Sequence, residues 1–183
     1  MKKVLFLAAL GLSSLAALAD NECLVLNSSS RSYVEIPHFA TPAEMTIEAW
    51  IKTSQSNTGT IVAWKDVNGD GESSMFRVYN GLLQYGEWYG NTWSEINSPS
   101  RVATGSWVHV AVTRKGSAAA LYVNGEKVSE GTMHSSALCS TDNLKIGALG
   151  TVWNECFNGE IDEVRIWSKQ RTAEEIRNNF RQE

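Results

Sequence analysis

The chain has 183 residues, of which 43% are hydrophobic, and it carries a formal net charge of −4 at pH 7. This composition is sufficient for one domain with its own hydrophobic core, without a framework of disulfides. The sequence contains no basic run, so we expect neither nucleic acid nor an anionic membrane surface as a partner.

The first nineteen residues predict a secretory signal peptide. Lys2 and Lys3 precede an apolar run over residues 4–12, and Ala17-Leu18-Ala19 supplies the small residues of a cleavage site. The apolar run is too short for a membrane anchor, and no second run of spanning length follows it. We therefore expect a secreted protein, extracellular or periplasmic, without membrane insertion. Residues 1–19 would be removed, and residues 20–183 would form one domain.

Apolar and polar residues alternate through most of the remaining sequence, which is typical of half-buried antiparallel strands. Asn80-Gly81 and Asn124-Gly125 each separate two alternating runs and predict β-hairpins. The fold class predicted from these signals is all-β, a two-sheet sandwich. The alternating runs are MTIEAWIKTS (45–54), SMFRVY (74–79), SWVHVAVTR (106–114) and AALYV (119–123).

The run DVNGDGE (66–72) matches the first half of a calcium loop, D-x-[DN]-x-[DN]-G, through Asp66, Asn68 and Asp70. The twelfth position of such a loop needs a bidentate acid but is Arg77, which excludes an EF-hand. Two interpretations stay open. The glycines provide the positive φ angles of a hairpin turn. Alternatively, the three carboxylates, which include Glu72, bind one calcium ion with a dissociation constant of about 10⁻⁴–10⁻³ M.

Aromatic residues are concentrated in QYGEWYGNTW (84–93). Alternation along a strand sends Trp88 and Tyr89 to opposite faces, so one of them should lie outside the core. Flat aromatic side chains on a sheet face hold sugar rings in many carbohydrate modules, although ordinary cross-strand packing is the alternative. The candidate ligand-binding residues are Trp88, Tyr89, Trp93 and Trp153.

The sequence contains no recognisable catalytic set, because no histidine accompanies a serine or cysteine in a nucleophile turn. Glu48 and His109 both fall in the middle of predicted strands, and we hypothesise a structural hydrogen bond between them. A helix is predicted near the end of the chain, since Thr172 and Glu175 form a capping box. Its apolar stripe, Ile176 and Phe180, should dock against the edge of the sandwich.

Five segments together resemble the laminin-G-like jelly-roll family, which is related in fold to pentraxins and concanavalin A-like lectins and glucanases. The resemblance implies a two-sheet antiparallel jelly roll whose first and last strands lie close together. It also implies a non-catalytic binding or adhesion module for a glycan or an extracellular protein. The segments are YVEIP (33–37), MTIEAWIKT (45–53), SWVHVAVTRKGSAAALYVNGEKV (106–128), NLKIGALG (143–150) and FNGEIDEVRIWSKQRTAEEI (157–176).

The resemblance also suggests site residues. In pentraxins a loop before the last long strand adds calcium ligands, and here it offers Asn154 and Glu155. Glucanases of this fold carry E-x-D-x-x-E, of which Glu160 and Asp162 match the first two letters. The third letter falls on Arg165, so the second carboxyl that retaining hydrolysis needs is missing and we predict no enzyme. A diverged glycoside hydrolase and a purely structural matrix protein remain the alternatives.

Three cysteines allow at most one intramolecular disulfide. We expect strands 143–149 and 157–167 to pair, which would hold Cys139 and Cys156 apart. The strand order implied by the resemblance places Cys23 near Cys139, so the predicted disulfide is Cys23–Cys139 with Cys156 free.

The calcium interpretation predicts that millimolar calcium raises the melting temperature relative to chelator. Binding only to the folded state stabilises it by about 2.7 kcal/mol at a hundredfold excess over the dissociation constant. Thermal melts of the mature protein and of Asp70→Ala measure this effect, which the substitution should remove. Equal melting temperatures with calcium and with chelator would identify DVNGDGE as a turn only.

Overall fold

The computed structural model describes residues 22–65, 73–134, 143–149 and 155–180. In these ranges the chain forms twelve β-strands and one helix, and that helix is not long and apolar enough to cross a membrane. The strands are β1 (Leu24–Leu26), β2 (Val34–Ile36), β3 (Glu44–Lys52), β4 (Gly59–Lys65), β5 (Ser73–Tyr79), β6 (Leu82–Tyr89), β7 (Thr92–Arg101), β8 (Trp107–Lys115), β9 (Ala118–Val123), β10 (Glu126–Thr132), β11 (Asn143–Ile146) and β12 (Gly159–Trp167), and the helix is α1 (Ala173–Asn179).

The strands form two six-stranded antiparallel sheets, as the predicted jelly-roll sandwich requires. Sheet 1 has the order β1-β12-β3-β8-β9-β10, and sheet 2 has the order β2-β11-β4-β5-β6-β7. The first and last strands are neighbours, with Leu24 opposite Ile161. This confirms the expectation that the two ends of the domain lie close together.

The predicted hairpins are present. Asn80-Gly81 joins β5 to β6 and Asn124-Gly125 joins β9 to β10, and all four residues have positive φ between 50° and 82°. Such turns match the right-handed twist of the strands that they connect. A third hairpin, between β6 and β7, turns at Gly90-Asn91 with φ of 55° and 65°. The Asn-Gly signal did not predict this hairpin, because glycine and asparagine occur here in the reverse order.

The hydrophobic core lies between the sheets and follows the predicted alternation. On β3 the apolar positions face inward, and β8 contributes every second residue in the same way. Sheet 2 adds larger aromatic side chains. The fully buried core residues include Met45, Ile47, Ala49, Ile51, Trp64, Phe76, Leu83, Tyr85, Val110, Val112, Leu121, Leu144 and Phe157.

One ion pair crosses this core from sheet to sheet. Arg114 Nε of β8 donates to Glu87 Oε1 of β6 at 2.6 Å, and both side chains are buried. The Tyr85 hydroxyl also donates to Glu87 Oε1 at 2.7 Å. Burial, reinforced by the charge of Glu87, raises the pKa of Tyr85 well above its ordinary value, so the hydroxyl keeps its proton. Because buried charges are costly unless paired, this contact restricts how the two sheets face one another.

Part of the outer face of sheet 1 is buried as well, which corrects two expectations. The polar positions Thr46 and Glu48 of β3 are buried, so this strand is not half-buried as its alternation suggested. Helix α1 begins at the predicted capping box on Thr172, but it packs on the sheet face and not at the sandwich edge. The reason is that β3, β8 and β9 present apolar side chains there. Phe180 contacts Trp50 and His109, and Ile176 packs with Ala111, Ala120 and Tyr122.

A buried polar cluster fixes the segment before α1 to the sheet. Arg171 forms an ion pair with Glu48, its backbone N–H donates to Thr46 Oγ1 at 2.8 Å, and its Nη2 donates to the Glu175 carbonyl. His109 Nε2 lies 3.4 Å from Glu48 Oε2, so the two side chains are neighbours as expected, but the pair does not have hydrogen-bond geometry and the hypothesised hydrogen bond is not shown. The four side chains link two strands of sheet 1 to the C-terminal segment.

The expected pairing of strands 143–149 and 157–167 is wrong. β11 lies in sheet 2 between β2 and β4, whereas β12 lies in sheet 1 between β1 and β3. The chain crosses from one sheet to the other between these strands. The argument that separated Cys139 from Cys156 therefore loses its basis.

The Glu48 cluster generates a prediction about acid stability. Burial alone would raise the pKa of Glu48, but the contact with His109 and the ion pair with Arg171 outweigh it and lower the pKa below its ordinary value. A carboxyl with a lowered folded-state pKa stabilises the protein above its unfolded pKa, and this contribution is lost as the pH falls through the folded value. We expect Glu48→Gln to destabilise the protein at pH 7 by about 3–5 kcal/mol and to lose less stability than wild type between pH 5 and pH 3.

Urea unfolding at these pH values measures both effects. Glu44→Gln is the matched control, because Glu44 begins the same strand but its ion pair with Lys115 is largely exposed. Parallel stability curves for Glu48→Gln and wild type across the acid range would contradict the assignment.

Candidate functional site

The outward-facing side chains of β5, β6 and β7 form a surface on sheet 2 that combines aromatic and polar groups. In β6 the alternation that buries Tyr85 and Glu87 turns the intervening positions outward. Register then places Gln84 opposite Asn97 and Trp88 opposite Trp93. We call this surface the outer platform, and it consists of Arg77, Tyr79, Gln84, Gly86, Trp88, Trp93, Glu95 and Asn97.

The Trp93 indole lies close to the backbone of β6. A Cβ added at Gly86 would overlap the six-membered ring of Trp93, so only glycine permits this close approach. The Trp88 ring is its neighbour, with centroids 6.4 Å apart and planes 38° from parallel. Trp93 also packs against Met75, Ala63 and Leu149. The two indoles therefore form an aromatic pair, and buried side chains support Trp93.

Arg77 packs against two rings of the platform. The residue is 8% exposed, and its guanidinium carbon lies 5.3 Å from the Trp93 ring centroid and 5.1 Å from the Tyr79 centroid. Nε donates to Gln84 Oε1 at 2.6 Å, and Nη1 donates to Glu155 Oε2 at 3.1 Å. Contact of a guanidinium with two rings adds cation–π attraction to these bonds. The two rings are thus fixed relative to each other.

A hydrogen-bonded polar array borders the rings. Glu95 accepts from Trp93 Nε1 at 2.5 Å, from Gln84 Nε2 at 3.1 Å and from Asn97 Nδ2 at 3.0 Å. Gln84 Nε2 also donates to Asn97 Oδ1 at 2.8 Å. Gln84 is buried, whereas Glu95 is exposed. The array leaves Glu95 as the accessible end of an otherwise internally satisfied network.

This arrangement is suited to binding a flat, partly apolar and partly polar ligand. Trp88 is 37% exposed and Tyr79 is 40% exposed, which is unusual for side chains of this size. Aromatic faces with a few fixed hydrogen-bonding groups at their rim are the usual composition of small-molecule and sugar sites. Nothing in the array provides a nucleophile or a base poised against a reacting group.

The predicted ligand-binding residues do not all lie on the same face of sheet 2. Trp88 and Trp93 both belong to the outer platform, whereas Tyr89 lies on the inner side of sheet 2, where it packs against the core and the His134 ring. This confirms that Trp88 and Tyr89 face opposite ways, and it separates Tyr89 from the other two candidates. Trp153 lies outside the described residues.

The sequence search missed Arg77, Gln84, Glu95 and Asn97. Their signal was present in the alternation, since each occupies an outward position of a strand next to an aromatic residue. A register shift in the pairing of β6 with β7, next to Gln84, determines which residues are cross-strand neighbours. The sequence analysis did not predict this shift.

The proposed calcium ligands are for the most part beyond the described ranges: Asp66, Asn68, Asp70, Glu72 and Asn154 all lie outside them. Glu155 is described, and its carboxylate accepts from Arg77 of the platform. In the described part of the chain no three His, Cys, Asp or Glu residues come together as a metal site would require. The calcium site stays a prediction.

Cys23 and Cys156 are free thiols in the structure. Cys23 Sγ donates to Glu160 Oε2 at 3.5 Å, and burial together with this carboxylate raises the pKa of the Cys23 thiol. Cys139 lies outside the described residues, so the Cys23–Cys139 disulfide is not shown and stays a prediction.

The side chains of the partial glucanase motif on β12 form contacts within the protein. Lys52 Nζ lies 2.9 Å from Glu160 Oε1, and this hydrogen bond lowers the pKa of Glu160. Arg165, at the third motif position, pairs with Glu163. These contacts account for the motif without hydrolysis.

A family model described as the concanavalin A-like lectin/glucanases superfamily, laminin G type, matches residues 28–177. The chain therefore belongs to this family, and the resemblance drawn from its sequence segments is confirmed.

Individual relatives are more distant. Mouse pappalysin-1 is 35% identical over 75 residues, which are 39% of this chain, and the chain spans only 5% of the length of that relative. Domain 4 of AbnA, an extracellular arabinanase from Geobacillus stearothermophilus solved with arabinotriose, has a TM-score of 0.70 and 21% identity, covering 85% of this chain and 75% of that one. The sialidase CBM40 domain of Ruminococcus gnavus, bound to α2,3 sialyllactose, has a TM-score of 0.65 and 14% identity, covering 79% and 97%. At these identities the two structures show a shared fold.

The close approach of Trp93 to β6 can be tested with Gly86→Ala. The added methyl group must displace the indole, and overpacking of this kind costs about 1–3 kcal/mol. We expect a changed tryptophan fluorescence spectrum and a lower unfolding free energy. The double variant Gly86→Ala/Trp93→Ala removes the clash, so the cost of the alanine at position 86 should largely disappear in that background. An equal cost in both backgrounds would show that Trp93 does not lie against Gly86.

Proposed function

We propose that the chain is a non-catalytic carbohydrate-binding module of an exported protein, and that it binds a glycan on the outer platform. The observation that carries the proposal is the Trp88–Trp93 pair, in which Trp93 packs against Gly86 and Arg77 and the Glu95–Asn97 array lies alongside. A sugar ring has an apolar face that stacks on an indole and a rim of hydroxyls that reaches such polar groups.

Several features support this assignment over an enzyme. The platform carries no residue pair arranged for acid–base chemistry, and the motif carboxylate Glu160 is paired with Lys52 on the other sheet. Binding domains of similar fold provide the precedent, since one was solved with arabinotriose and another with sialyllactose. An extracellular protein partner is the alternative ligand, and a single calcium ion beside Glu155 remains part of the proposal.

Binding to a panel of immobilised neutral and acidic polysaccharides, followed by calorimetry with the best ligand, tests the function. We expect Trp93→Ala to weaken binding at least about tenfold, because buried aromatic anchors dominate the energy of most recognition sites. The variant should remain folded, since Trp93 lies on the outer face of sheet 2 and not in the main core between the sheets.

Trp107→Ala provides the matched control. Trp107 is 38% exposed, close to the 37% of Trp88, but it lies on sheet 1. The control should bind as wild type does. Equal losses in both variants, or no loss in Trp93→Ala, would remove the outer platform as the binding site. Release of reducing ends from the bound polysaccharide would instead favour a glycoside hydrolase.

A further inference from the structure

The accessible charge of the outer platform is negative. Glu95 is exposed, whereas Arg77 is only 8% exposed beside the Trp93 and Tyr79 rings, and its Nε and Nη1 donate to Gln84 and Glu155. Glu155 adds a second carboxylate next to Arg77. A ligand that lies on Trp88 and Trp93 therefore meets a carboxylate at the rim and a guanidinium whose charge is compensated by Glu155.

The other described cations on this side of sheet 2 lie away from the two indoles. Arg101 is at the last position of β7, opposite Leu82, and its Nη1 donates to the Asn80 carbonyl at 3.0 Å. Lys145 is on β11, three strands away from β6, and lies 4.9 Å from the Tyr33 ring centroid and 3.9 Å from Glu35. Neither cation stands beside Glu95.

Glu95 can also accept more hydrogen bonds than it receives from the protein. Its Oε2 accepts from Trp93 and Gln84 and its Oε1 accepts from Asn97, whereas a carboxylate offers about four acceptor positions. One outward position on Oε1 thus remains for a ligand. The group that matches it is a hydroxyl donor, and hydrogen bonds to a charged acceptor are stronger than neutral ones.

We propose that the outer platform selects uncharged glycans and discriminates against acidic ones, an inference that rests on the proposed function. A sugar hydroxyl donates to Glu95 while the ring stacks on Trp93. A carboxylate or sulfate at that position instead faces Glu95 with like charge and meets no uncompensated cation among the described side chains, and like-charge contacts are a common source of specificity.

The test compares one polysaccharide in two derivatives. The neutral panel comprises arabinan, xylan, galactan, mannan and β-glucan, and the best ligand is then prepared as carboxymethyl and hydroxyethyl derivatives of equal substitution. These add similar bulk but differ in charge. We expect the carboxymethyl form to bind about tenfold more weakly than the hydroxyethyl form at low salt, with the gap closing toward 1 M NaCl as screening shortens to about 3 Å.

Glu95→Gln assigns the discrimination to one residue. The substitution removes the charge and keeps the shape, so the gap between the two derivatives should close, even though hydroxyl binding weakens. Glu130→Gln removes the same charge from β10 on sheet 1, where Glu130 pairs with Lys127 at the surface, and it should leave the gap unchanged.

The outcomes separate this inference from the function on which it rests. Equal or tighter binding of the carboxymethyl form, or of an acidic polysaccharide in place of every neutral one, would overturn the charge selection and leave glycan binding standing. A gap that persists in Glu95→Gln would overturn it as well. Failure of all glycans, neutral and acidic, would overturn both proposals.

Discussion

The buried Glu87–Arg114 ion pair constrains the whole molecule, because it joins the two sheets across the core. A charge in that position is tolerated only with its partner, so β6 has to point Glu87 inward. Side chains alternate along a strand, and a slip of one residue would therefore turn Glu87 to solvent and every neighbour with it. Because Glu87 points into the core, the side chains at positions 84, 86 and 88 lie on the opposite face of β6.

The two outer faces of the sandwich differ in exposure. On sheet 1, Glu48 and Thr46 bind Arg171, and Phe180 covers Trp50 and His109, so the C-terminal segment covers part of that face. On sheet 2, Trp88 and Tyr79 are 37% and 40% exposed. A covered face contributes stability, whereas exposed large aromatic groups are typical of interaction surfaces. The core lies between the sheets, and the proposed binding surface lies on the outer face of sheet 2.

Local sequence signals predicted much of this architecture, whereas they could not predict which strands distant in the sequence pair with each other. The Asn80-Gly81 and Asn124-Gly125 hairpins and the Thr172 capping box depend on a few adjacent residues, and all three are present. The partners of β11 and β12 depend on which sheet each strand joins, and alternation within a strand carries no such information. The same holds for the site. Alternation along β6 predicted that Trp88 and Tyr89 face opposite ways, but the arrangement of Arg77, Gln84 and Glu95 depends on the register of three strands.

The hydrogen-bonded array also explains how a shallow surface can recognise a ligand. An exposed side chain loses rotamer freedom when a ligand immobilises it, which reduces affinity. Here Gln84 is buried and bonded to Arg77, Glu95 and Asn97, so much of that freedom is lost when the protein folds. The network orders the rings through the buried guanidinium and leaves a carboxylate outside. Rigidity and the sign of the accessible charge therefore arise from the same contacts, and a substitution that alters one is bound to alter the other.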